Sequence, residues 1–239
     1  MIRLLLISNS TNAGEEYLGH SLPKIKNFLG DFQPENAIFI PYAAVLFSFD
    51  EYEEMVNRRL SLINVKVTSI HHFDNPASAV EKADLIVVGG GNTFQLLKLL
   101  QENGLIEIVK RKVSEGVSYI GWSAGSNVAC PTIKTTNDMP IVEPQSFNAF
   151  SLVHFQINPH YIDANPEGHA GETRDQRIME FVEVNRNVYV VGLREGTALE
   201  VIGQKIKLIG DRPARIFHYG QTPQELTAND DFSFLWMDF

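Results

Sequence analysis

The chain has 239 residues, 44% of them apolar and 21% charged, with a formal net charge of −9. A chain of that size and make-up can bury a substantial core, and nothing in it resembles a low-complexity or repeat protein. The acidic balance, with no basic face or run, argues against nucleic acid and against an anionic membrane as partners.

The amino-terminal stretch IRLLLIS, residues 2–8, reads as a buried strand. It is too short for the apolar region of a signal peptide, and no run reaches the roughly 20 residues that span a bilayer. A cytoplasmic protein is the expectation. A helix is predicted over 15–29, with Pro23 as an interruption. A strand follows over 37–43, then a helix over 50–62 with Asp50 as its N-cap. Next come a strand over 65–70, a short helix over 76–82 and a strand over 84–90. Helices over 93–102 and 105–115 follow, the first capped by Asn92 with Gln95 three residues on. A fifth strand covers 117–122. Runs this continuously apolar suit strands covered on both faces, so the rhythm predicts a mostly parallel sheet with helices on both sides.

Residues 130–144 read as loop. A helix is predicted over 173–184, with Thr173 and Gln176 as a capping box, and strands over 188–193, 198–202 and 205–209. Gly203-Gln204 turns the last two into a hairpin. No linker divides the chain, so one domain over 1–239 is expected.

The stretch GWSAG, residues 121–125, follows the fifth strand. A G-x-S-x-G pattern there makes an abrupt strand-to-helix turn that lifts the serine side chain above the sheet. The next backbone N–H, that of Ala124, then faces the same space. Ser123 is thus a candidate nucleophile; the alternative is a helix cap. A nucleophilic serine needs a base and a group that orients it. Of the seven histidines, His71 and His72 are adjacent and on a strand would face opposite ways. His20 falls within a predicted helix, and His218 in a late apolar run. His160 leads because it follows the strand-like segment HFQIN; His169 and His154 rank behind it. Glu195 follows a strand and precedes Gly196, as a solvated turn carboxylate also would.

The run VVGGGNTFQLL, residues 87–97, fits neither phosphate-binding template. An N–H of Gly90 or Gly91 fits better as a second oxyanion donor beside Ser123. The single cysteine, Cys130, excludes an intrachain disulfide, fits a reducing compartment and reads as a small core filler two turns along the helix after Ser123. Trp122 reads as packing, with the alternative that its indole walls the site. No metal-binding histidine spacing is present.

The segments VGGGNTFQLL, YIGWSAGSNVACPTIKTTNDMPIV, QINPH, PEGHAGETRDQRI and VGLREG together make the chain similar to the peptidase E family. These are α-aspartyl dipeptidases, serine peptidases related to cyanophycinase and, in fold, to class I glutamine amidotransferases. The resemblance weakens after about residue 200. It implies a flavodoxin-like three-layer sandwich and a triad of Ser123, His160 and Glu195. It implies no cofactor and no metal, and aspartyl dipeptides as substrate. It places Arg174 at the substrate carboxylate, with Arg177 nearby, and makes Asp138 a residue implicated in activity. A carboxylate at 138 could bind the substrate α-amine; otherwise it is an Asx-turn residue. Without the resemblance, both arginines read as solvated helix residues paired with acids such as Asp175 or Glu180. The rival readings are a hydrolase of cyanophycin-type β-aspartyl peptides and a non-catalytic ligand-binding member. Monomer and homodimer are both compatible with the sequence.

Overall fold

A computed structural model describes residues 1–163, 168 and 170–236. The elements run β1 (Arg3–Ile7), α1 (Leu22–Leu29), β2 (Ala37–Ile40), α2 (Phe49–Leu60), β3 (Thr68–Ser69), α3 (Pro76–Lys82), β4 (Leu85–Val88), α4 (Thr93–Glu102), α5 (Leu105–Glu115), β5 (Ser118–Trp122) and α6 (Ala124–Asn127). They continue with β6 (Gln156–Tyr161), α7 (Arg174–Val184), β7 (Val190–Arg194), β8 (Ala198–Ile202), β9 (Lys205–Ile209), β10 (Ala214–Phe217) and β11 (Gln224–Leu226).

The strands form two sheets. A seven-stranded sheet has the order β3-β2-β4-β5-β1-β8-β9, and its first five strands are parallel. The predicted hairpin adds β8 and β9 antiparallel to β1. The alternation of side chains along each strand decides the layering. Leu4 and Leu6 of β1, with Ile86 and Val88 of β4, enter one core with Leu96 and Leu100 of α4 and Val109 of α5. Leu5 and Ile7, with Leu85 and Val87, enter the other with Ile25 and Phe28 of α1 and Val56 and Leu60 of α2. This is the expected sheet with helices on both faces.

The second sheet, of four strands in the order β11-β10-β7-β6, departs from the single-sheet expectation. Its β6 and β7 are parallel, and β10 and β11 close it antiparallel. Ile157 and Val191 share the first core with Leu4 and Val88, so one apolar cluster runs across both sheets. No described helix is long and apolar enough to cross a membrane.

Several local expectations change. Pro23 occupies the first turn of α1 rather than interrupting a longer helix, where its missing N–H costs nothing. The N-cap of α2 is Ser48, not Asp50; Ser48 and Glu51 form a reciprocal capping box. The strand expected over 65–70 is reduced to Thr68–Ser69, and its last expected residue, Ile70, opens a 3-10 helix that runs to His72. His20 lies in the turn before α1, outside the helix. The helix after Ser123 stops at Asn127, so Cys130 falls beyond it. The capping of α4 by Asn92 and of α7 by Thr173 with Gln176 is as predicted.

Candidate active site

β5 runs into α6 without a loop, and Ser123 takes the turn at φ 53°, ψ −113°. A non-glycine residue in that region carries strain of order 1–3 kcal/mol, which the surroundings must over-determine. They do. The Ser123 N–H donates to Ile7 O at 3.0 Å, and Ser123 O accepts from the N–H groups of Ser126 and Asn127. Ser126 Oγ reaches Ile7 O and Gly121 O beneath the turn. A Cβ on Gly125 would sit 2.2 Å from Val88 O, so only glycine lets the elbow press against β4.

The serine side chain does not cap its helix. Ser123 Oγ instead lies 2.8 Å from His160 Nε2. His160 is itself at φ 52°, where the β6–β7 register shifts between Asn158 and Tyr161. That irregularity re-aims the side chain, as bulges next to sites do. The His160 N–H donates to Ser8 Oγ, whose hydroxyl donates to Leu193 O, fastening the ends of β1, β6 and β7 together. His160 Nδ1 lies 2.7 Å from Glu195 Oε1. Glu195 follows β7 directly, and the next N–H, of Gly196, donates to Asn9 Oδ1. The structure therefore joins the three expected side chains in one hydrogen-bonded row at the carboxyl ends of the strands, where open α/β sheets assemble their sites.

Gly90 lies against the serine: a Cβ there would fall 2.9 Å from Ser123 Cβ. The Gly90 carbonyl accepts from Tyr52 Oη at 2.9 Å. Tyr52 is buried, and its hydroxyl in turn accepts from Trp122 Nε1 at 3.1 Å and contacts Tyr17 Oη. Burial raises the Tyr52 pKa, so it is a proton donor at neutral pH. Trp122 is thus core packing with a polar anchor and does not wall the site. Tyr52 was not singled out in the sequence; it sits in the predicted 50–62 helix, but nothing local points it at residue 90. The N–H groups of Gly91 and Ala124 have no protein acceptor among the described residues.

A cleft of about 240 Å³ opens over the row, lined by Thr93, Ser123, Thr136, Asp138, His160 and Arg174, among others. Asp138 Oδ2 accepts from Thr93 N–H (2.7 Å), Thr93 Oγ1 (2.6 Å) and Thr136 Oγ1 (3.1 Å). The carboxylate is therefore anchored at the start of α4, and is more than a local Asx turn. Every one of these bonds ends on Oδ2, which leaves Oδ1 for a ligand. Arg174, at the start of α7, has no carboxylate partner among the described residues. Burial, and then the neighbouring Arg177, lower its pKa. It is a partly desolvated cation with no counter-ion among the described residues. Arg177, beside it, is mostly exposed and lies 3.8 Å from Glu172. Asp175, the expected partner of these arginines, is bonded to Tyr161 and Arg215 instead.

The rival histidines lie elsewhere. His218 and His154 contact Tyr189 and Trp236. His20 lines another cavity, whose wall also includes Glu195 and Gly196 but not Ser123 or His160. His169 lies outside the described residues. His71 and His72 do not face opposite ways, since the 3-10 turn brings their rings to 4.0 Å between centroids. Cys130 is fully buried, its thiol pushed up to about 12 by desolvation, which fits a core filler.

A hydroxyl, an imidazole and a carboxylate in series on an α/β scaffold is the arrangement of a serine hydrolase. The chain belongs to peptidase family S51, whose model matches residues 4–209. It is a serine peptidase. It is 49% identical to Peptidase E of Nostoc sp., over 98% of this chain and 96% of that one. To Peptidase E of Salmonella typhimurium it is 47% identical, over 97% and 100%. To Peptidase E of Pasteurella multocida it is 44% identical, over 98% and 100%. The similarity thus continues past residue 209, where the sequence resemblance had weakened. Among solved structures, a putative peptidase E protein from Listeria monocytogenes superposes with TM-score 0.64 at 24% identity, covering 88% of this chain and 99% of that one. A peptidase from an acI-B1 actinobacterium gives 0.66 at 21%, covering 98% of each. These two show a shared fold.

Proposed function

We propose that the chain hydrolyses dipeptides and some short peptides after an N-terminal aspartate, through an acyl-enzyme on Ser123. The observation that carries this reading is Arg174, which has no carboxylate partner among the described residues and lines the same cleft as Ser123 and His160. A partly desolvated cation with no carboxylate partner among the described residues is a carboxylate receptor, and its planar fork suits a bidentate grip.

His160 Nε2 takes the proton of Ser123 Oγ as the oxygen attacks the aspartyl carbonyl. Glu195 holds Nδ1–H, which fixes the tautomer and stabilises the imidazolium. The oxyanion lies between the N–H of Ala124 and an N–H of the Gly90-Gly91 loop. Across a trans peptide the carbonyl and the next N–H point opposite ways, so Tyr52, holding Gly90 O, turns the Gly91 N–H away from the core. His160 then protonates the leaving amine and activates the water that releases aspartate. Arg174 receives the aspartyl side chain. Asp138 Oδ1 receives the free α-amine, which restricts cleavage to the first peptide bond. The relatives named Peptidase E support the reading. We place the protein in the cytoplasm.

A panel of Asp-Xaa, Glu-Xaa, Asn-Xaa, β-Asp-Xaa and N-blocked Asp-Xaa dipeptides tests the reading. Asp-Xaa is expected to be cleaved fastest and the blocked form not at all. Preference for β-Asp-Xaa would replace it with the cyanophycin-type reading. Cleavage of none would leave a non-catalytic ligand binder.

A further inference from the structure

The 3-10 turn that follows β3 gathers side chains the peptidase chemistry does not use. Asp50 Oδ1 lies 3.0 Å from His71 Nε2 and 3.7 Å from His72 Nε2, and the three atoms fall within 4.8 Å of one another. A tetrahedral zinc ion, with bonds of about 2.0–2.2 Å, sets its ligand atoms about 3.3 Å apart. The two observed spacings bracket that value. Glu53, one turn along α2, brings Oε2 to 2.6 Å from His72 Nε2.

The outer groups are also in place. His71 Nδ1 lies 2.6 Å from the hydroxyl of buried Ser69, and the Ser69 N–H donates to Glu53 Oε1 at 2.7 Å. In the tautomer whose Nδ1–H donates to that hydroxyl, the Nε2 lone pair is left for a metal, so Ser69 can orient a ligating His71 as an outer hydrogen-bond partner does. The positive end of α2, about half an elementary charge, opposes a cation here, but the two carboxylates outweigh it.

We propose that Asp50, His71 and His72 bind one divalent transition-metal ion of the zinc class, with solvent completing the coordination and Glu53, hydrogen-bonded at His72, adding negative charge beside the three donors. Mixed imidazole and carboxylate donors select such ions over magnesium or calcium, which take oxygen ligands. On binding, any proton on the two Nε2 atoms passes to solvent, and Ser69 Oγ accepts the hydrogen bond from Nδ1–H. The ion clips the start of α2 to the end of β3, so its role is structural and separate from the Ser123 chemistry.

The test is a zinc titration of the chelator-stripped full chain in competition with a chromophoric zinc indicator, with cobalt as a visible-absorption probe and magnesium as control. One equivalent should bind, with the absorption of four-coordinate cobalt. His72→Ala should weaken binding at least about 10-fold, and Ser69→Ala by about 10-fold or more through the lost contact at Nδ1. Circular dichroism checks that both variants are folded; His72 is 44% exposed, which favours this. A zinc Kd weaker than about 1 mM, or zinc binding that His72→Ala leaves unchanged, overturns the proposal. Unchanged binding would mean that the ion sits on other histidines such as His160.

Discussion

The two halves of the candidate site are held by different physics. The serine half sits on β4 and β5, at the middle of a parallel sheet buried on both faces. Its geometry comes from backbone hydrogen bonds, glycine contacts and the buried Tyr52–Trp122 pair. The histidine and glutamate half sits on the smaller sheet, where the side chains of His160 and Glu195 are 40% and 42% exposed. There charges join the neutral hydrogen bonds to Ser8 and Asn9. Arg194, next to Glu195, is nearly buried and pairs with Asp163 and Glu225; Glu225 also pairs with Arg215, which reaches Asp175. Asp175 accepts from Tyr161 Oη, beside His160. Ser123 is thus fixed by packing, which pH leaves alone, while His160 and Glu195 are tied by neutral hydrogen bonds to Ser8 and, through the Gly196 N–H, to Asn9, and stand beside an ion network that spans β6, β7, β10, β11 and α7. Close packing and electrostatic ties can both fix a side chain, but they fail under different conditions.

The comparison can be broken or sharpened at graded cost. The largest effect is expected from Ser123→Ala, which should lower kcat by at least about 10³-fold with the fold intact. Near-full Asp-Leu cleavage by that variant would refute the assignment. Arg174→Met should lower kcat/KM for Asp-Xaa by about 10²-fold, because a desolvated charge pair costs about 2–5 kcal/mol to break. Equal loss on every dipeptide tested would deny it a specificity role. Tyr52→Phe probes the packed half from outside the cleft. It should lower kcat about 10-fold with KM little changed, as part of one oxyanion donor's contribution is lost. A thermal melt should also show destabilisation of about 1–3 kcal/mol from the unsatisfied Trp122 N–H and Gly90 carbonyl. A change in KM alone would deny the positioning role.

The smallest effect belongs to the charged half. The hydrogen bond from Arg194 holds the Asp163 carboxyl below its usual range. A carboxylate whose folded pKa is depressed contributes stability that is full above its unfolded pKa of about 3.9 and is lost as pH falls through the folded value. Asp163 is largely exposed, so Asp163→Asn should cost under about 1 kcal/mol. The melting difference from wild type should be present at neutral pH and vanish in strong acid. A difference that persists there would point to packing instead of charge.

The sequence by itself determined the local pieces. Strand and helix periods, the caps at Asn92 and Thr173, the hairpin at Gly203-Gln204 and the elbow at Ser123 each depend on residues a few positions apart. It also offered Ser123 and His160 as site candidates from the residues, and Glu195 only through a resemblance: from the residues alone, Glu195 was indistinguishable from a surface turn. Partner choice belonged to the tertiary structure. Whether residues 156–161 and 190–194 join the main sheet or a second one depends on contacts across tens of residues, including β10 and β11 near the end of the chain. The same holds for Tyr52 reaching Gly90, for Asp138 anchoring on Thr93 and for His71 and His72 converging on Asp50. Local patterns fix dihedral angles cheaply and independently. Which distant surfaces meet is settled only when the whole core is buried at once.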